Sequence, residues 1–274
     1  MRRSRSRSSG MASAERRGRA QFAVLAVSLG VFTPQPTSAQ LLVDPLQVTI
    51  GVAGPGTALS SLSLSNTSDK PVQVSITRGD WDRAENGDNR FFPGGSTPHS
   101  CGRLLSVSPP SVRLEPHTSR VVRLAVQADS LLTRECWDIV FVEELPQRTA
   151  TKGNSLEFTF RTGVKVYIGP PGLPRHGVVE GMAVVDSPKP AIAIRFHNTG
   201  GTHLLAKGRL EFRRVDNSLA SQVEIGDFPT LPGALRRVVV NVPSDLPPGV
   251  YIVLALIDFG GAELVAGQID FQAK

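Results

Sequence analysis

The spacing of short alternating apolar segments on either side of one Pro/Gly-rich stretch constrains the fold more than any other feature. Residues 169–177 read Gly-Pro-Pro-Gly-Leu-Pro-Arg-His-Gly, and such a stretch excludes a continuous strand or helix. About seven segments on each side have the two-residue period of a strand, and neither side shows a helical period. Seven short strands a side predict an all-β chain of two tandem immunoglobulin-like β-sandwich domains.

The predicted domains are an N-terminal immunoglobulin-like domain at residues 40–168 and a C-terminal β-sandwich at residues 178–274, joined by a hinge at 169–177. The strands of the first are expected near Leu42–Ile50, Ser60–Asn66, Val72–Trp81, Leu104–Val107, Ser119–Val126, Trp137–Glu144 and Leu156–Ile168. The strands of the second are expected near Met182–Val185, Ala191–Asn198, Leu204–Arg213, Gln222–Ile225, Leu235–Asn241, Val250–Asp258 and Glu263–Phe271.

The first 39 residues have the order of a secretory signal peptide. Seven arginines precede a short apolar run from Ala20 to Phe32, and Thr37-Ser38-Ala39 offers small residues ahead of a cut before Gln40. The apolar run is too short to span a bilayer. Met11 is an alternative start, because a leader that begins there still keeps three of the arginines. The order predicts that the mature chain is exported.

Removal of this leader changes the charge of the protein. The whole chain has 30 basic and 24 acidic residues, and residues 1–40 hold seven arginines and one glutamate. The mature chain therefore has 23 residues of each sign, so its net charge is near zero. This balance gives no electrostatic reason to expect a nucleic acid or an anionic membrane as a partner.

The two cysteines, Cys101 and Cys136, are expected to form a disulfide in an oxidising compartment. The competing interpretation is a metal site that adds His99 and His117 to the two thiols. Their spacing matches no compact zinc pattern, so the disulfide is preferred.

Motifs of catalysis and cofactor binding are missing from the sequence. Asp258-Phe259-Gly260 has the letters of a kinase magnesium motif but lacks the glycine-rich and catalytic loops that accompany it, so a strand end before a turn explains it better. Gly51-Val-Ala-Gly-Pro-Gly is followed by no helix and is interpreted as a turn. We predict a protein that is not an enzyme, with no cofactor, no metal and no small-molecule substrate.

Residues 156–168 form an apolar ribbon that runs from a polar segment into the hinge. Because side chains alternate along a strand, one face carries Leu156, Phe158, Phe160, Val164 and Val166. Lys165 lies on the opposite face, near the hinge. Such a ribbon fits a strand that is lent to another chain. It equally fits the last core strand of its own sandwich, or an edge that a second copy of the chain covers.

An ordered series of phrases carries a resemblance to a known family. The phrases are Leu42-Val43-Asp44-Pro45, Leu62-Ser-Leu-Ser-Asn66-Thr-Ser-Asp-Lys-Pro71, Asp80-Trp81, Val107-Ser-Pro109-Pro110-Ser-Val-Arg113-Leu-Glu-Pro116, Arg134-Glu135-Cys-Trp137, Glu144-Leu145-Pro146 and the ribbon. Over residues 41–170 the series resembles the first domain of the periplasmic pilus-assembly chaperones. The second domain resembles the family less.

The resemblance implies a periplasmic chaperone that stabilises incomplete pilus or surface-fibre subunits by donor-strand complementation. A subunit of this kind is an immunoglobulin-like fold without its last strand, and the chaperone inserts its own strand into the open groove. Leu156, Phe158 and Phe160 would be the lent side chains. An outer-membrane usher is implied as a further partner, and the free chaperone can cap itself as a homodimer.

The resemblance also implies residues that anchor the subunit and support the cleft between the domains. Family members hold the C-terminal carboxylate of the subunit with a lysine and an arginine, and these positions correspond to Lys165 and Gln47. Gln47 has no charge, which departs from the family pattern. Arg113 and Glu135 correspond to an ion pair that supports the cleft.

Gln47 and the unfamiliar second domain leave an alternative from another functional class. In this alternative the chain is a structural cell-envelope protein whose two sandwiches bind wall polymer or another envelope protein. The gene neighbourhood separates the two hypotheses, because an usher and small secreted subunits alongside favour the chaperone.

Overall fold

A computed structural model describes residues 41–145, 159–186 and 189–274 as seventeen β-strands. The signal peptide predicted at residues 1–39 lies outside the described residues. In the part of the chain that is described, no helix is long and apolar enough to cross a membrane.

The first ten strands form one β-sandwich. They are β1 (Leu41–Asp44), β2 (Gln47–Gly51), β3 (Gly56–Asn66), β4 (Val72–Arg83), β5 (Asn89–Pro93), β6 (Leu105–Ser108), β7 (Ser111–Leu114), β8 (Ser119–Ala128), β9 (Cys136–Glu144) and β10 (Arg161–Gly169). One sheet has the order β1-β3-β8-β6, and the other has the order β2-β10-β9-β4-β5 with β7 also paired to β4. Alternate apolar side chains of both sheets, such as Leu64, Leu124, Val140 and Val166, are fully buried in the core between them.

The remaining seven strands form a second sandwich. They are β11 (Gly177–Asp186), β12 (Pro190–Asn198), β13 (Leu204–Arg213), β14 (Leu219–Thr230), β15 (Leu235–Asn241), β16 (Gly249–Asp258) and β17 (Val265–Ala273). Its sheets have the orders β11-β12-β15 and β14-β13-β16-β17. Phe196, Phe212 and Val253 are fully buried between them.

Besides differences in the bounds of other strands, two predictions at the start and the end of the first sandwich need comment. The single strand expected over Leu42–Ile50 is wrong, because β1 and β2 join opposite sheets. Pro45 lies between them, and a proline donates no backbone hydrogen bond to a ladder. The strand expected over Leu156–Ile168 is described from Arg161 onward, while Leu156 and Phe158 lie outside the described residues.

The disulfide between Cys101 and Cys136 is confirmed, with the two Cα atoms 5.1 Å apart. It joins the loop before β6 to the first residue of β9. This bond makes the alternative metal site with His99 and His117 wrong, because metal ligation requires free thiolates. The backbone N–H of Cys101 also donates to Asp138, at 2.9 Å, so the loop is held at two points.

Removing this cross-link is expected to destabilise the protein substantially. The Cys101→Ser/Cys136→Ser double variant should lose about 3–4 kcal/mol of unfolding free energy, because the unfolded chain regains the entropy of an open loop. Urea unfolding measures the change. An oxidised protein and a double variant with the same transition midpoint would contradict the expectation.

Candidate functional site

An aromatic surface covers the outer face of the β2-β10-β9-β4-β5 sheet. Trp81, Trp137 and Tyr167 are at most 2% exposed and form a cluster with Leu231 of the second sandwich. The Trp137 indole N–H donates to the backbone oxygen of Trp81 at 2.9 Å. We call the region where this face meets the second sandwich the cleft. Its floor consists of these buried aromatic side chains.

Strand β10 contributes to the core with one face and to the cleft with the other. Val164, Val166 and Ile168 are fully buried in the first sandwich. Lys165 and Tyr167 have the opposite parity and face the cleft. The inner half of the predicted ribbon is therefore a core strand of its own sandwich.

The outer end of β10 is exposed. The side chain of Phe160, immediately before β10, is 59% exposed, although it shares the parity of the buried valines. Leu156 and Phe158 precede the described part of this segment. Phe160 is thus an apolar side chain next to the end of a core strand, but it is not itself buried in the core.

The backbone of β10 also has an open edge. Strand β2 pairs with β10 only from Lys165 to Gly169, and no other described strand pairs with Arg161–Val164 on that side. The N–H of Lys165 donates toward β2, to Leu46 at 3.0 Å, while the carbonyl of Phe160 accepts from Glu144 of β9. The N–H and C=O groups of odd-numbered residues therefore point to the open edge. Those of Arg161 and Gly163 are left available to another strand.

Lys165 and Gln47 are brought together, as adjacent partners in the parallel pairing of β10 and β2. Gln47 is exposed. The Lys165 ammonium lies 4.9 Å from the centre of the Trp81 ring. A cation at this distance from an indole is held by its π-face.

Arg83, at the end of β4, is a cleft residue that the sequence did not reveal. Its guanidinium carbon lies 5.6 Å from the centre of the same Trp81 ring. Its Nη1 donates to the carbonyl of Gly87 at 3.0 Å, whereas Nε and Nη2 are buried with no hydrogen-bond partner among the described residues. Neither Arg83 nor Lys165 makes an ion pair within the described ranges. The two cations therefore place uncompensated positive charge in the cleft.

The proximity of these cations has a measurable effect on Lys165. Burial and the positive charge of Arg83 both lower the pKa of Lys165 below its usual value. We expect Arg83→Gln to raise this pKa, because it removes the repulsion and leaves the burial. Titration of the lysine Cε signals by NMR measures the change, with Lys207→Met as a spectroscopic control. If Arg83→Gln leaves the pKa of Lys165 unchanged, the charge of Arg83 does not act on Lys165.

The ion pair predicted between Arg113 and Glu135 is wrong. The Arg113 Nε donates to Glu115 at 2.9 Å, since residues two apart on an extended chain lie on the same side. Glu135 is buried at the opposite end of the sandwich and accepts from the Thr202 hydroxyl, at 2.8 Å, and from the backbone N–H and ring Nδ1 of His203.

Glu135 therefore joins the two sandwiches. The His203 ring also stacks on Tyr167, with the ring centres 3.7 Å apart and the planes 13° from parallel. Because Tyr167 follows Lys165 on the same face of β10, this contact fixes the second sandwich close to the cationic part of the cleft. The described residues contain no group of three metal-ligating side chains.

Residues 52–174 match the family described as pili and flagellar-assembly chaperone, PapD N-terminal domain. The matched range includes Arg83, Glu135 and all of β10. A comparison with curated proteins finds no match. The family consists of assembly chaperones that are not enzymes, which confirms the prediction that this protein is not an enzyme.

Two solved structures are similar to the chain. The class 5 fimbriae chaperone CfaA has 14% sequence identity and a TM-score of 0.51, over 83% of this chain and 98% of that one. A chain in a chaperone–tip adhesin complex of CFA/I fimbriae biogenesis has 12% identity and a TM-score of 0.51, over 86% and 100% of the two chains. Identities this low show the fold, and they confirm the two tandem immunoglobulin-like sandwiches. The first sandwich thus matches the pilus-assembly chaperone family over residues 52–174, and the chain as a whole shares the two-domain fold of a solved fimbrial chaperone.

Proposed function

We propose that this chaperone acts in the periplasm, where it binds incomplete pilus or surface-fibre subunits by donor-strand complementation. The observation that carries the proposal is the open edge of β10 at Arg161–Val164, next to the exposed Phe160. An unpaired strand edge that ends in apolar side chains is suited to completing the sheet of another protein. Chaperones of this family are periplasmic, and the leader expected at residues 1–39 agrees with export.

The lent segment consists of Leu156, Phe158 and Phe160, which share one parity, followed by the edge of β10. Each side chain that enters an apolar groove contributes about 1.5–3 kcal/mol before the cost of ordering the segment. The backbone N–H and C=O groups of Arg161 and Gly163 extend the pairing by hydrogen bonds. The rigid part of β10, held in the chaperone core by Val164 and Val166, supports the segment at its inner end.

The C-terminal carboxylate of the subunit binds in the cleft at Lys165. We assign the second positive charge to Arg83 rather than to Gln47, which is exposed and uncharged. Arg83 has two buried guanidinium nitrogens without a partner among the described residues, so a carboxylate satisfies donors that are otherwise left unpaired. The lent strand then sets the affinity for the groove, and the carboxylate sets the register of the subunit along β10.

The partners follow from this mode of binding. A subunit with an open groove is the first, and a neighbour of this fold was solved as a chaperone–tip adhesin complex. An outer-membrane usher receives the complex. In the absence of a subunit, the same edge fits a second copy of this chain, which gives a self-capped homodimer.

Co-expression with a small exported subunit encoded beside this protein tests the proposal. We expect the subunit to accumulate in the periplasm and to co-purify with the chaperone as a one-to-one complex that survives without nucleotide or metal. A subunit that folds and accumulates equally well without the chaperone would overturn the proposal. Chaperone that purifies as a dimer alone, and as a monomer with the subunit, supports the self-capped form.

A further inference from the structure

Glu135 is not the only residue of the first sandwich that contacts the second one in the described part of the chain. The loop between β4 and β5 also forms hydrogen bonds with the second sandwich. The backbone carbonyl of Glu85 accepts two hydrogen bonds from β15 at 2.7 Å each, one from the backbone N–H of Arg237 and one from Nη1 of Arg236. The cleft is thus bordered by contacts between the sandwiches on both sides.

Two guanidinium groups converge on one glycine in this loop. Arg83 Nη1 donates to the Gly87 carbonyl from the first sandwich. The Arg236 guanidinium packs against the Cα of Gly87 so closely that a side chain at this position would overlap it. Gly87 has a φ of 99°, a conformation that favours glycine. The absence of a side chain at Gly87 is what allows Arg236 to approach Arg83.

The charge of these groups is not balanced by ion pairs. Arg236 Nε is buried without a hydrogen-bond partner in the described part of the chain, as are Nε and Nη2 of Arg83. Asp88, in the same loop, is near enough for its charge to act on Arg236, but it forms no ion pair with Arg236 in the described part of the chain and accepts from the Asn86 amide at 2.6 Å. The hydrogen bonds that Arg236 makes to the backbone use Nη1 alone, so they leave its remaining donors and its charge for another group.

We propose that Arg236 is a third cationic residue of the carboxylate site, so that the site is completed by the second sandwich and depends on Gly87 to bring Arg236 into place. The inference rests on the proposed function, because its ligand is the C-terminal carboxylate of a subunit. The second sandwich then has two roles: it forms one wall of the cleft, and it supplies a residue that binds the ligand. Such a site assembles only when the two sandwiches are in their observed arrangement.

Two synthetic peptides test this inference by calorimetry against the full-length mature protein. Both carry the last strand of the neighbouring subunit, one with a free C-terminal carboxylate and one with a C-terminal amide. We expect Arg236→Gln to weaken the acid peptide about tenfold, the effect of one charge-assisted hydrogen bond, and to leave the amide peptide unchanged. Arg236→Lys should recover part of the loss because it keeps the charge.

Two glycine variants provide a matched comparison. Gly87→Ala should reproduce the loss for the acid peptide because its methyl group displaces Arg236. Gly95→Ala is the control, because Gly95 also has a positive φ, of 80°, but an added Cβ there meets no atom within 4 Å. It should bind both peptides as the wild type does.

The outcomes separate this inference from the proposed function. Equal weakening of the acid and the amide peptide by Arg236→Gln, or no weakening of either, overturns the role of Arg236 and leaves strand lending intact. Wild-type protein that binds neither the peptides nor the subunit overturns both.

Discussion

Replacing Phe158 and Phe160 together by glutamate is expected to abolish subunit capture. Each phenylalanine loses about 1.5–3 kcal/mol of burial in the subunit groove, and each new carboxylate opposes entry into an apolar site. The affinity should therefore fall by at least about a hundredfold, which is enough to eliminate co-purification. The measurement is the recovery of the subunit with tagged chaperone after co-expression.

The folded chaperone should tolerate this double substitution, since Phe160 is 59% exposed. Thermal unfolding of the variant should match that of the wild type. Leu59→Glu is the control, because Leu59 is 72% exposed on β3 of the other sheet and should retain capture. A double variant that folds and recovers as much subunit as the wild type would exclude the lent segment as the binding element.

Lys165→Met is the second substitution with a large expected effect. It keeps much of the packing over Trp81 but removes the charge, so the affinity for the subunit should fall about tenfold or more. The Lys165→Met/Arg83→Gln double variant should lose less than the product of the single effects predicts, because both residues bind one carboxylate. Lys207→Met, an exposed lysine on β13, is the control.

The same anchor makes binding dependent on pH. Binding needs a protonated Lys165 and an ionised carboxylate, so the affinity should be highest between the pKa values of these two groups and decline as the pH rises through the pKa of Lys165. Since burial and Arg83 lower that pKa, the decline begins at a lower pH than for an ordinary lysine. If wild type and Lys165→Met bind the subunit with the same affinity at every pH, Lys165 does not bind the carboxylate.

The alternation of apolar residues was sufficient to predict the sandwiches and most of their strands, because burial on one face of a strand follows directly from a two-residue period. The short edge strands β5 and β7 were missed because they have only five and four residues and too few buried positions to show a period: Phe91 of β5 is 52% exposed, and Leu114 is the one buried residue of β7. The break at Pro45 was missed because apolar residues continue on both sides of the proline. The pairing of Cys101 with Cys136 was predictable because the chain has only these two cysteines.

Only the part of the site that lies on a single strand was predicted from the sequence. Lys165 was found through its place on the ribbon, but Arg83 and Arg236 come from different sandwiches and meet only through folding. Their significance depends on unpaired donors and on the close approach at Gly87, neither of which a sequence pattern displays. Glu135 was recognised as important but was assigned the wrong partner, because His203 reaches it only through the packing of the two sandwiches.

Amide hydrogen exchange at the end of β10 tests the central claim most directly. In the free chaperone the N–H groups of Arg161 and Gly163 should exchange rapidly, while those of Thr162 and Val164, which point toward β9, should be protected. Adding subunit should slow exchange at Arg161 and Gly163 and leave the other two unchanged. A tight complex in which Arg161 and Gly163 still exchange as fast as in the free protein would contradict the account, because no strand would then have paired with this edge.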